Sequence, residues 1–213
     1  ISSNQRFLSY LEGILKNSKK DLDEAGDRIE AFMLARNMLS EREFTVQAGR
    51  LKEFRENAKV EGFRASVHIQ VGASDPVAEA MWIDSIAEAN PDWPLVQVVH
   101  CDLTSSTLDK DLDLFQTIPS IRGVRQIVGR SSEEDTKSGT NDLLSSSAFC
   151  DGLAELGNRN LSFDLQLTPE LIEQAANVLS AAPQTKTALC HAGSPGDRSE
   201  QGLAKWSKNL RLL

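Results

Sequence analysis

Cysteine is scarce in this chain. The three present, Cys101, Cys150 and Cys190, stand far apart, and no Cys-x-x-Cys pair occurs. That pattern argues against a disulfide framework and a thiolate zinc module, and favours a reducing compartment. Long apolar runs are also missing. No stretch approaches the roughly 20 residues that a membrane-spanning helix needs, and the opening residues carry no signal-like pattern. A cytoplasmic protein with no membrane partner is therefore expected. Positive charge is in deficit: 23 Lys+Arg against 31 Asp+Glu give a net charge of −8, which disfavours a nucleic-acid partner. Neither a GxGxxG nor a GxxxxGK[ST] fingerprint is found, so nothing advertises a nucleotide cradle. The chain opens on "ISSNQ" without Met, and the expectation is a processed or partial sequence.

The acidity is unevenly placed. Residues 1–60 hold 11 Lys+Arg and 10 Asp+Glu, whereas residues 61–213 hold 12 and 21. The two regions also differ in periodicity. In residues 1–60, apolar positions recur at helical spacing, as in Phe7, Leu8, Leu11, Ile14 and Leu15, and again over about 27–39. These residues are expected to form a helical N-terminal extension of the domain spanning 61–213. Within that domain strands and helices alternate. "FRASVHIQV" reads as a strand and "SDPVAEAMWIDSIAEAN" as a helix, with Asp75 as cap and Pro76 at its first position. "PLVQVVHCDL" is a strand followed by a helix over Leu108–Ile118, and "IRGVRQIV" is a strand followed by a polar loop, "GRSSEEDTKSGTND". A helix over about Leu143–Leu156 leads to the strand "LSFDLQL", then a helix capped by Thr168, the strand "KTALCHAG" and a last helix.

Five strand–helix units in succession predict a parallel sheet with right-handed crossovers. Polarity chooses between an open sheet and a barrel. "SVHIQV" sets Ser66, His68 and Gln70 on one face, and "SFDLQL" sets Ser162, Asp164 and Gln166 on one face. An interior that opens into a site at the strand ends accounts for such faces better than a sheet covered on both sides. The fold class expected is α/β, of the (β/α) TIM-barrel type. An unrelated open α/β enzyme is the competing architecture, and strand order separates the two.

The strand ends collect His68 and Gln70, His100 and Asp102, Arg125, Gln126 and Arg130, Asp164 and Gln166, and His191 with Ser194. All three histidines are among them. Arg125 lies within a strand, where an arginine needs an internal carboxylate or an anionic ligand. His191 sits in "CHAGSPGD", where two glycines and a proline turn the backbone sharply just after it. No lysine stands at a strand end, so a Schiff-base mechanism has no obvious residue.

Taken together, "SVHIQVGASDPVAEAMWI", "VVHCDL", "IRGVRQIV", "LSFDLQLTPE" and "ALCHAGSP" resemble the amidohydrolase-related (amidohydrolase 2) group of metal-dependent hydrolase-type TIM barrels, with the lactonase-like branch closer than the decarboxylases. The resemblance runs from about residue 50 to the end. It implies an incomplete barrel, about strands two to six of eight, and hydrolysis of a lactone or similar small carboxylate-bearing substrate. By the same resemblance His191 matches the family's turn histidine, and Gln70, Arg125 and Asp164 match strand-end positions that line its pocket. The catalytic candidates are then His191, Asp164 and Arg125, and the strand-end residues Gln70, His68, Gln166 and Arg130 are the substrate-binding ones. A divalent metal such as zinc is implied as cofactor, yet no His-x-His pair occurs, Cys190 stands where the family has Asp, and the metal ligands are left unassigned. The alternative is a non-catalytic barrel remnant that binds a small acid or a protein partner. A homo-oligomer covering the open sheet edges is a further expectation.

Overall fold

A computed structural model describes residues 52–70, 72, 73 and 75–213. The helices expected over residues 7–15 and 27–39 lie outside these residues. Five strands order as β1-β2-β3-β4-β5, the same as their order in the sequence. They are β1 (Ser66–Ile69), β2 (Leu95–His100), β3 (Ile121–Ile127), β4 (Ser162–Gln166) and β5 (Thr187–Leu189). The pairs β2–β3, β3–β4 and β4–β5 are parallel. A doubly wound sheet reverses its order at a switch point; this one runs in a single direction, strand after strand, as a (β/α) barrel does. The fold is α/β and TIM-barrel-like, as the alternation of the sequence predicts.

The helices are α1 (residues 52–60), α2 (Pro76–Ala89), α3 (Leu108–Gln116), α4 (Ser132–Ser138), α5 (Ser147–Asn158), α6 (Ile172–Ala181) and α7 (Glu200–Leu210). The start of α2 is as its sequence dictates. Pro76 has no N–H to satisfy, and an Asp75 carboxylate oxygen accepts from the N–H groups of Val77 (3.1 Å) and Ala78 (2.9 Å). Thr168, by contrast, makes no side-chain cap; residues Pro169–Leu171 form a 3-10 turn before α6 begins. The polar stretch after β3 is not a loop throughout. It holds α4, closed at its start by a reciprocal pair: Ser131 Oγ accepts from Glu134 N (3.4 Å), and Glu134 Oε2 accepts from Ser131 N (3.3 Å). Gly139 ends it in the left-handed conformation. The helix expected from Leu143 is a 3-10 turn over Thr140–Ser145, followed by α5.

The described residues divide into two compact units, 52–66 with Asp84–Leu95, and those of 67–83 with Val96–Leu213. The described portion of the first is organised around Trp93, which is 3 % exposed. Its indole N–H donates to Ser66 Oγ (2.8 Å), and Phe54 meets the ring edge-on at 6.3 Å between centroids. Arg55 and Lys59 stand over the ring at 5.7 and 5.9 Å. Arg55 also donates to Asn90 Oδ1 (2.6 Å) and pairs with Asp92. An aromatic face under two cations stabilises by about 1 kcal/mol at partly exposed sites.

In the second unit the core lies between the sheet and its helices. Val99, Val124, Phe163, Leu165 and Leu167 are almost wholly buried, and Phe163 meets Phe149 of α5 edge-on at 5.9 Å. Gly152 of α5 lies so close to Leu103 that a Cβ would press on its carbonyl oxygen and stand 3.0 Å from its Cβ. Gln97, buried beside a bulge in β2, uses its amide N–H groups to donate to Ala80 O (2.9 Å) and Ser120 Oγ (2.7 Å).

Candidate functional site

Register brings the chemistry together. His100, Arg125, Asp164 and Ala188 are partners across four neighbouring strands. Register partners in a parallel sheet project to the same face. Phe163, one residue from Asp164, packs on α5, so Asp164 and its row lie on the face turned away from that helix. Asp164 is nonetheless only 8 % exposed. Burial raises its pKa above the ordinary carboxylate value, and the nearby Arg125 guanidinium offsets some of the rise. Cys190, just beyond β5, points its thiol at Asp164 Oδ2 at 4.0 Å. Its pKa is raised as well, by burial and then by the negative charge of Asp164, against a lowering by Arg125.

Arg125 uses one donor on the Gln70 carbonyl oxygen, at 2.6 Å. A guanidinium carries five N–H donors, so it retains capacity for a ligand. Gln70 is buried and works as a brace: its side-chain oxygen accepts from His100 N at 2.7 Å. The His100 ring reaches the Arg125 carbonyl oxygen at 3.1 Å. Gln126, on β3, is a second brace, accepting from Leu103 N (3.0 Å) and donating to Asp102 Oδ1 (3.1 Å). Burial raises the Asp102 pKa, but hydrogen bonds from Thr104 and Gln126 and the nearness of His100 outweigh it and leave the value below normal.

His68 is placed elsewhere. Its Nε2 lies 2.9 Å from Glu79 Oε1 on α2. The polar face of β1 therefore looks towards the helix, and Val67 and Ile69 occupy the opposite, exposed face (59 % and 36 %). The expectation that "SVHIQV" and "SFDLQL" present their polar residues alike is corrected. The two share a pattern, but the neighbouring elements turn them oppositely. Gln166 ends β4 opposite Ile127, half-buried. Arg130 follows β3. Its backbone is clasped by Asn141, which accepts from Arg130 N (2.8 Å) and donates to its carbonyl oxygen (3.2 Å). Arg130 Nε is buried with no hydrogen-bond partner among the described residues.

His191 stands in an unusual turn. The strand expected through "KTALCHAG" stops at Leu189, and the backbone then runs left-handed at His191 (φ 51°), Ala192 (φ 53°), Gly193 (φ 72°) and Ser194 (φ 51°). Each residue bearing a Cβ pays about 1–2 kcal/mol in this region. The His191 side chain is exposed and makes no hydrogen bond or ion pair among the described residues. Beyond the turn, a cavity of about 250 Å³ is lined by Thr168, Glu170, Ser194, Asp197, Lys205 and Trp206, among others.

Sequence reasoning underrated two members of this set. His100 is one strand-end residue among many, outside the catalytic and binding candidates, until the register places it beside Arg125, and Cys190 reads as a substitution until its thiol is seen facing Asp164. Strand pairing supplies the first fact and the path of the chain beyond β5 the second; no local spacing encodes either.

Known structures share this fold. An amidohydrolase from Burkholderia multivorans with bound zinc superposes with a TM-score of 0.63 at 18 % identity, over 76 % of this chain and 54 % of that one. The chain has the fold of the amidohydrolases. A probable 2-pyrone-4,6-dicarboxylic acid hydrolase from Acinetobacter baumannii with citric acid bound gives a TM-score of 0.55 at 17 % identity, over 76 % and 55 % of the two chains. Amidohydrolase 2 from Bifidobacterium longum subsp. infantis gives 0.51 at 15 % identity, over 73 % and 54 %. In sequence, the uncharacterized protein y4mH of Sinorhizobium fredii is 24 % identical over 166 residues, 76 % of this chain and 55 % of its own. The chain thus spans about half the length of the curated relative it matches. It matches no protein-family model.

The amidohydrolase fold raises the question of a metal. No group of three or more His, Cys, Asp or Glu among the described residues could hold one. His68 is engaged by Glu79, His100 by a carbonyl, and His191 lies in the exposed turn. The donor set of the described residues does not fit a metal centre. No helix among them is long and apolar enough to cross a membrane.

Proposed function

We propose that this chain carries the acid-recognising region of an amidohydrolase-related hydrolase that acts on a lactone or a similar small carboxylate-bearing substrate. The observation that carries this reading is the Arg125–Asp164 row on the sheet face turned away from α5, in a fold shared with amidohydrolases. Arg125 would hold a substrate carboxylate with the N–H donors that Gln70 leaves over. Asp164, ionised, would take a proton from water attacking the carbonyl, and its raised pKa makes it the stronger base. Gln166 and Arg130, at the ends of the same strands, would border the substrate, and His191 would reach it from the turn after β5. Citric acid in the Acinetobacter protein is a small tricarboxylate, consistent with this class of ligand.

A second reading has its own support. With no His-x-His pair in the sequence and no metal-ligand group among the described residues, binding without catalysis accounts for the row equally well. Calorimetric titration with citrate and with 2-pyrone-4,6-dicarboxylate tests recognition, and lactone turnover with and without added zinc separates the readings. Arg125→Met is expected to weaken carboxylate binding at least tenfold. Equal binding by the variant, or none by the parent chain, would sink the acid-recognition reading. Binding without turnover in either condition would leave the binding role alone.

A further inference from the structure

Four successive left-handed residues, three of them with a Cβ, do not persist without something that holds them. Within the turn, Ser194 N donates to the His191 carbonyl oxygen at 2.9 Å. Gly193 is buried where a Cβ would already touch Ile172, Leu189 and Leu210. Among the described residues, one side chain from outside the turn reaches its backbone. The Trp206 indole N–H, on α7, donates to the Ala192 carbonyl oxygen at 2.8 Å. Three residues further along the same helix, Asn209 Nδ2 donates to the Pro169 carbonyl oxygen at 3.3 Å. The helix start is itself fixed: Asp197 accepts from Ser199 N (2.9 Å) and Ser199 Oγ from Gly202 N (3.0 Å). One face of α7 therefore grips the chain after β4 and the chain after β5 together.

We infer that Trp206 is a positioning residue, a latch whose indole N–H holds the left-handed turn and so fixes where His191 is presented. The latch stands on geometry alone, and its bearing on a reaction rests on the function proposed above. An indole suits the task because it donates and never accepts, so it seeks a carbonyl. Trp206 also lines the cavity to which Ser194 contributes.

The experiment is amide hydrogen exchange and His191 ring chemical shifts on the full chain, with no substrate present. Trp206→Phe keeps an aromatic ring and removes the donor. Ser194 amide exchange is expected to speed at least tenfold and the His191 ring shifts to move, while the amide of the buried core residue Val124 keeps its protection. Glycine adopts the left-handed region freely, so Ala192→Gly added to Trp206→Phe should restore most of the Ser194 protection. Unchanged Ser194 exchange in the single variant, or no rescue in the double, overturns the latch. Should the single variant not fold, Ala192→Gly alone decides. Relieved strain raises its unfolding midpoint, and an unchanged or lower midpoint counts against the inference. A failed turnover assay would bear on the proposed function and leave these readouts standing.

Discussion

Two aspartates, Asp102 just past β2 and Asp164 within β4, respond to pH in opposite senses. Asp102 has a pKa below the ordinary 3.8 because Thr104 and Gln126 donate to its ionised form. Its stabilisation is present above pH 3.8 and is lost as pH falls through the lowered value. Asp164 has a raised pKa because burial penalises its charge. Its stabilisation is complete below pH 3.8 and is lost as pH rises through the raised value. Asp102→Asn is thus expected to lower the urea midpoint at pH 7, through a loss of about 1 kcal/mol of unfolding free energy for a charge-assisted hydrogen bond in an exposed setting. Asp164→Asn is expected to raise that midpoint, and to leave stability between pH 4 and 7 flatter than in the parent chain. Denaturation of both variants across that range checks the signs, and a common direction would contradict the assignment. Residue types at the strand ends were readable from sequence, but the signs were not, since they depend on which partner each carboxylate meets after folding.

At the scale of elements, the legible features were those with a local cause. Asp75–Pro76 announces α2 because capping is a short-range matter, and strand–helix alternation announces the parallel sheet. The misreadings are equally physical. Charge density hid α4, although Ser131 and Glu134 stand at the spacing of a capping box. "KTALCHAG" looked extended because only the folded chain shows that the backbone turns left-handed at His191. The close approach of α5 to Leu103 could not be read at all, because Gly152 is an unremarkable residue in a helical pattern. That contact makes a sharp prediction. Gly152→Ala would gain helix propensity in isolation, yet here the added methyl meets backbone that cannot yield. A loss of about 1–3 kcal/mol is expected, measured by chemical denaturation; a gain would show that the helix can move away.

For the molecule as a whole, Cys101 offers a reporter of opening. It is 5 % exposed, and burial first, then Asp111 and Asp102, push its thiol up to about 12. Thiolate is the reactive form, so Cys101 is expected to resist alkylation at pH 8 in the native chain and to label only through unfolding. Its labelling rate should rise with urea in step with the fraction unfolded, as peptide mapping by mass spectrometry would show; prompt labelling in buffer would mean that β2 opens locally. The two strands with one pattern carry a different lesson. "SVHIQV" and "SFDLQL" could be exchanged on paper without disturbing a single polar or apolar position. In the folded protein the exchange would place each strand half a pleat out of phase. A carboxylate would be thrust against α2 and a histidine brought beside Arg125. Alternation records that a strand has two sides, and the rest of the chain decides which side is inward.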